Sequence, residues 1–471
     1  MPTECMPDAL HFQAAQGRDV VARFDGGTLT SDGGAVLLRE VERATRIVAQ
    51  FAACFTDHRA PSRIEHPVAA LVAQRVYGLA LGYEDLNDHD ALRADPLLAV
   101  LAGAADPTGA TRRCARDVGH ALAGKSTLNR LELTAATCAE TERYKKITVD
   151  HDAVDRYFVD VFVQAHATPP TELVLDLDAT DDPVHGAQEG RFFHGYYGHY
   201  CYVPLYIFAG EHLLCARLRP ANIDASAGAL EEVERIVAQL RAVWPDVRLI
   251  LRADSGFCRD ALLTWCETHA VDYVIGLARN PRLTAPIADD LATVAQHCAA
   301  TEAPARRFAD LTYQTLDSWS TARRVVAKAE HLPGGETSKA NPRFVVTSLA
   351  AAVLDAQPLY EVLYCARGEM ENRIKEQQLM LFADRTSAAT MRANQLRLTF
   401  SSVAYVLLAA LRRLGLAGTR LATAQCQTIR LTLLKIGARI RITVRKVWIA
   451  LATGCPHAAL FAQVHAKLRR V

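Results

Sequence analysis

The sequence predicts an α/β protein, a mixed sheet interrupted by a β-rich insertion, with helical N-terminal and C-terminal regions. Three observations predict it. Between residues 166 and 283 short apolar runs of strand length alternate with amphipathic stretches of helix length. Residues 284–343 then switch to alternating, β-branched runs, while the two ends of the chain carry helical spacing. At 471 residues, half of them apolar, the chain can bury a large core in two or three domains.

Each part has its own warrant. Residues 1–165 read as a helical region: Ser31-Asp32 caps a helix to about Gln50, and Pro67 opens another through Val76-Tyr77. Pro169-Pro170 marks the next boundary. Strands follow at 173–178, 200–209 and 213–218, then a helix at 225–243, a strand at 247–253, a helix at 260–270 and a strand at 273–277. That β-β-β-α-β-α-β order matches a ribonuclease-H-like sheet. In the insertion, 307–315, 323–329 and 344–348 read as strands, broken at Asp317-Ser-Trp319 and Pro333-Gly-Gly335. Residues 344–400 complete the core with a long helix over about 364–381, and 401–471 read as a basic helical region.

Charge is distributed unevenly. From Arg385 to Val471 there are fifteen Lys/Arg and no Asp or Glu, against a whole-chain net charge of +1, so the remainder sums to −14. An acidic body with a basic end points to a polyanionic partner, with Arg439, Arg441, Arg445 and Lys446 as the densest group. The twelve cysteines form no CxxC pair, which argues against a zinc site and for reduced thiols. The N-terminus lacks the pattern of a secretory signal, and the uninterrupted apolar run at 403–411 is only nine residues, too short to span a bilayer. A soluble cytoplasmic protein with no membrane partner is expected.

Acids occur in three places that suit metal chemistry. In Leu173-Val-Leu-Asp-Leu-Asp178-Ala-Thr180, alternation sends the leucines to one face and Asp176 and Asp178 to the other. In Leu249-Ile-Leu-Arg-Ala-Asp254-Ser-Gly256 an apolar strand ends in an acid at its C-terminal edge, where open sheets bind ligands. In the third, Tyr364, Arg367, Glu371, Lys375 and Gln378 fall on one helical stripe, which selects Glu371 over Glu369 as the inward acid. Three acids on two strands and a helix could hold two divalent cations about 4 Å apart, and carboxylates are the hard ligands that Mg²⁺ prefers.

Asp-Ala-Thr, Ala-Asp-Ser-Gly-Phe and Tyr-x2-Arg-x3-Glu, in this order with a β-rich stretch before the last acid, resemble the signature of DDE transposases. The longer strings around them, and Gly124-Lys-Ser-Thr-Leu-Asn-Arg-Leu-Glu132, resemble the insertion-sequence-1380 family of the insertion-sequence-4-like clan, over nearly the whole chain. The resemblance implies a DNA transposase that cleaves and rejoins strands at insertion-sequence ends with two Mg²⁺ (or Mn²⁺) ions. It implies Asp178, Asp254 and Glu371 as the catalytic, metal-holding triad, with Tyr364 and Arg367 supporting DNA contacts. Double-stranded DNA is then the partner, and pairing two ends requires at least a homodimer. One departure stands out: the broader signature has Lys seven residues after the Glu, where this chain has Gln378. Lys375, one turn earlier on the stripe, could take over that phosphate contact. Two alternatives are a catalytically inactive DNA-binding protein derived from a transposase, and a nuclease that only hydrolyses DNA.

Three weaker signals remain. Gly119-His-Ala-Leu-Ala-Gly124-Lys125-Ser126 matches a phosphate-binding loop literally, but no strand leads into it and His-Ala-Leu-Ala favours helix, so no nucleotide is expected. The run from Phe192 to Tyr200 reads either as aromatics offered to unstacked bases or as a glycine-broken strand with packed rings. Trp319 reads as a base-stacking residue or as a core residue.

Overall fold

Alternation builds the central strand. In β1 (Glu172–Ala179) Leu175 and Leu177 are fully buried on one face, while Asp176 and Asp178 take the other. The computed structural model describes residues 9–139, 141–333 and 339–471. It sets β1 inside a nine-stranded mixed sheet. On one side β2 (Leu205–Ala209) runs antiparallel to β1 and pairs with β3 (His212–Arg217). On the other, β4 (Arg248–Ala253) and β5 (Asp272–Leu277) run parallel to it. The strands β6 (Ala305–Tyr313), β7 (Arg323–Leu332) and β8 (Arg343–Thr347) continue the sheet antiparallel, giving the order β3-β2-β1-β4-β5-β8-β7-β6, with the short Lys339–Ala340 pairing with β7 as the ninth strand.

The expected mixed sheet with helices on its faces is present. Helices α1 (Ala229–Val243) and α2 (Asp260–Thr268) cover one face, packing Val233, Ile236, Leu240, Leu262 and Leu263 on Leu175, Leu177, Leu249 and Leu251. On the opposite face Ile250, Val274, Val326 and Val345 meet Leu359 and Tyr360. Those two residues lie in a helical run from Ala356 to Met380, with a regular α-helix, α3 (Gly368–Lys375), between the π-helical turns Leu359–Tyr364 and Glu376–Met380.

Several expectations need correction. The 200–209 strand is two, His199–Tyr202 and Leu205–Ala209, because Pro204 has no N–H to donate to a ladder. The insertion is not purely β: Ala288–Thr301 is a helix, and its strands lengthen the main sheet instead of forming a module of their own. The Pro333-Gly-Gly335 break lies partly outside the described residues. Near the N-terminus, Leu10–Ala15 and Arg18–Ala22 form a hairpin in the region read as helical. The helix expected to run to Gln50 breaks at Arg46, which takes a left-handed conformation (φ 57°) between Val36–Thr45 and Ile47–Ala52. Asp32 makes no cap there: it accepts from the Tyr83 hydroxyl at 2.6 Å and pairs with Lys435 at 2.7 Å.

The C-terminal region is not all helix either. Ala438–Ile442 and Val447–Leu451 form an antiparallel hairpin. The period-two pattern Arg439-Ile-Arg-Ile442, rich in β-branched residues, decides the local structure. The nine-residue apolar run lies within a helix over Met391–Leu416 that is long and apolar enough to cross a membrane by length and composition, but its apolar window is 83% buried inside the protein.

The chain packs as two units: residues 1–46, 59–129 and 410–471 in one, residues 47–58 and 130–409 in the other. This partition cuts across the five segments read from the sequence, since each unit gathers chain from distant stretches.

Candidate active site

Asp178 stands near the C-terminal end of β1, and Asp254 directly follows β4, its parallel neighbour, so register alone puts both at the same edge of the sheet. The Asp254 side chain accepts from the Gly256 amide at 2.8 Å, which fixes its rotamer. Glu371 comes from α3 across the same face. Arg367, one turn earlier, ties the parts together: its guanidinium donates to Glu371 at 2.8 Å and to Asp178, 189 residues away, at 3.2 Å. Arg367 and Glu371, neighbours on the helical stripe, are thus linked to Asp178 through one guanidinium. Burial pushes the Asp178 carboxyl up to about 6, with Arg367 opposing the shift and Asp254 adding to it.

Asp176 shares that face and does something else. Arg252 grips it through two bonds, at 2.5 and 2.8 Å, with both side chains less than 10% exposed. The same guanidinium donates to the Leu363 carbonyl, joining β4 to the turn before Tyr364. Asp176 is therefore a buried structural partner, and Asp178 is the acid left at the opening. Tyr364 reaches the site because β5 has no side chain at Gly276: a Cβ there would lie 2.6 Å from the phenol oxygen. Lys375 is exposed.

Gln378, assigned from the sequence to DNA contact, is used internally. Its amide donates to the Asp181 carbonyl at 2.9 Å and to Asp182 Oδ1 at 2.8 Å, clamping the segment after Asp178 to the Glu371 helix. Asp182 is fully buried, and burial pushes its carboxyl up to about 8. Sequence reading missed this acid; the signal was the doubled acid in Asp181-Asp182-Pro, three residues past the first motif. Trp319 is also corrected: it is 6% exposed, packed edge-on to Tyr313 at 5.7 Å with Arg323 over its ring, and so presents no face to a base.

Among the described residues no three His, Cys, Asp or Glu side chains are already arranged to hold an ion. The donor set nevertheless fits one. Asp178, Asp254 and Glu371 are hard oxygen donors, and the single Arg367 charge leaves their combined negative charge uncompensated.

The four cations expected to meet DNA lie on the C-terminal hairpin. Arg439 and Arg441 point outward, paired across the ladder with Ala450 and Trp448, while Ile440 is buried beneath. Arg445 and Lys446 are exposed at the turn, and Trp448 lies between Arg441 and Lys446, 5.6 and 5.3 Å from its ring centre. Arg430, another of the fifteen basic residues of the C-terminal stretch, is instead buried, donating to the Ala80 carbonyl at 2.9 Å. The literal phosphate-loop match is no cradle. Residues 119–124 are irregular, not the helix expected of His-Ala-Leu-Ala, and the Lys125 ammonium is taken by Asp90 at 3.2 Å and Asn87 at 3.0 Å.

A family model described as transposase DDE domain group 1 matches residues 12–471, nearly the whole chain. No curated protein matches it.

Proposed function

The chain belongs to the DDE transposase family, and from that premise we propose that it cleaves DNA strands at the ends of an insertion sequence and joins them to a target. The observation that supports this is Arg367 bridging Asp178 and Glu371, with Asp254 at the same sheet edge as Asp178. By the motifs it carries we place it in the insertion-sequence-1380 family, with a ribonuclease-H-like core, acting as a homodimer on paired ends.

Asp178, Asp254 and Glu371 would hold two Mg²⁺ or Mn²⁺ ions, which when bound supply Lewis-acid activation of the attacking hydroxyl and charge stabilisation at the leaving oxygen. The protein's own groups prepare that step. Arg367 keeps the first and third acids together before DNA arrives, then offers its guanidinium to the phosphate in bidentate fashion. Tyr364 and the exposed Lys375 flank the same opening. Arg252 and Asp176 hold β1, β4 and the helix in fixed relation, and Gln378 and Asp182 do the same for the segment after Asp178. Arg439, Arg441, Arg445 and Lys446 supply sequence-independent phosphate contacts.

The test uses DNA carrying the inverted repeats that flank the reading frame. Strand cleavage and joining should require Mg²⁺ or Mn²⁺, stop in excess EDTA, and be indifferent to a zinc-selective chelator. Cleavage persisting in EDTA contradicts the proposal; cleavage without joining makes the protein a nuclease.

A further inference from the structure

Beside the carboxylates stands an aromatic hairpin that the chemistry above does not use. Its strands, Phe192–His194 and His199–Tyr202, pair antiparallel with Phe193 opposite Tyr200, so those rings share a face and meet edge-on at 5.7 Å. Cys201, on the other face, is fully buried with Val203 and Ala221, which fixes the inner side. The outer side is open. Phe193 is 58% exposed, Tyr200 48%, and Tyr196 at the turn 87%. Arg191 lies over the Tyr200 ring, 4.8 Å from its centre.

Exposed rings grouped this way, with a cation among them, mark a binding surface more often than a folding device. The hairpin is also tied to the site. His199 Nε2 meets Asp181 at 2.8 Å, three residues past Asp178. Tyr197, behind the tip, packs on Tyr196 and on His194, with ring centres 5.1 and 4.8 Å away. A platform in this position fits flat, apolar-faced groups attached to a phosphate chain. Bases that have left the duplex stack next to a processed phosphate are such groups, and aromatic stacking accepts any of them.

We propose that Phe193, Tyr196 and Tyr200 stack on unpaired bases of the DNA strand processed at Asp178, Asp254 and Glu371, with Arg191 serving its backbone. This rests on the DNA-processing reading above. It gives the hairpin the role that the buried Trp319 is not placed to fill.

The test measures binding of the full chain to a blunt duplex and to the same duplex with a single-stranded oligothymidine tail. The wild type should prefer the tailed DNA. The double variant Phe193→Ala/Tyr196→Ala should lose that preference by about tenfold, with blunt-duplex affinity and melting temperature unchanged. Phe193→Tyr/Tyr196→Phe should keep it. A double variant that retains the preference overturns the platform and leaves the transposase reading standing. A wild type that binds neither DNA defeats both. Equal loss on both DNAs, with a changed mass by light scattering, would make the hairpin a contact between copies of the chain and overturn the proposal.

Discussion

The carboxylate site and the C-terminal hairpin both carry charge, but they hold it in opposite ways. At the carboxylates, charges are fixed by other charges: Arg252 on Asp176, both buried, and Arg367 between Asp178 and the half-exposed Glu371. On the hairpin, Arg439 and Arg441 stand exposed on a strand whose alternate residues hold it in place. The first arrangement fixes geometry at the expense of fold stability if disturbed. The second can be altered with little structural consequence. Chemistry at one phosphate needs the former, and holding many phosphates needs only the latter.

The largest expected effect follows from that difference. Arg252→Met leaves Asp176 buried without its partner, and breaking such a pair costs about 3–5 kcal/mol. Urea unfolding should show this loss, whereas Arg439→Gln should stay within about 0.5 kcal/mol of wild type. Equal effects at the two sites would erase the distinction.

The second effect is on binding. Replacing Arg439, Arg441, Arg445 and Lys446 together with Gln should weaken DNA binding for all sequences and flatten the plot of log affinity against log salt by about 0.9 per lost phosphate contact. Preference for the element's ends should survive. An unchanged slope would make the hairpin a folding or oligomer surface.

A smaller effect sharpens the buried side of the comparison. Asp182 is raised to about 8 in the folded chain, so the folded state favours its protonated form. Its contribution is full below the unfolded value near 4 and is lost as pH rises through about 8. Asp182→Asn, neutral throughout, should therefore gain melting temperature relative to wild type between about pH 5 and about pH 9. A difference that does not change with pH would mean that the wild-type carboxyl is not held neutral.

Much of the site was legible because it rests on local periodicity. Period two put Asp176 and Asp178 opposite the leucines, and the helical stripe chose Glu371 although π-helical turns flank α3, since Arg367 and Glu371 are separated by one regular turn. The succession of strands and helices along the core was readable for the same reason, apart from the break at Pro204. What could not be read depended on distant partners. Which aspartate stays available was decided by Arg252, 76 residues away. Gln378 could be placed on the stripe, but not seen to be spent on Asp182, 196 residues away. Trp319 is enclosed by Tyr313 and Arg323, and no pattern around it announces that. The C-terminal hairpin was readable in principle, but its short alternation was averaged into the helical texture on either side.

The proposed phosphoryl-transfer centre joins three acids, two at the ends of neighbouring strands and one on a helix. It is tested most directly by end-DNA cleavage in Mg²⁺ with Asp178→Ala, Asp254→Ala, Glu371→Ala and, as the control from the same helix, Glu369→Ala, with DNA binding followed in parallel. The first three should lose cleavage and keep binding, while Glu369→Ala should cleave like wild type. Full cleavage by Glu371→Ala together with loss in Glu369→Ala would contradict it.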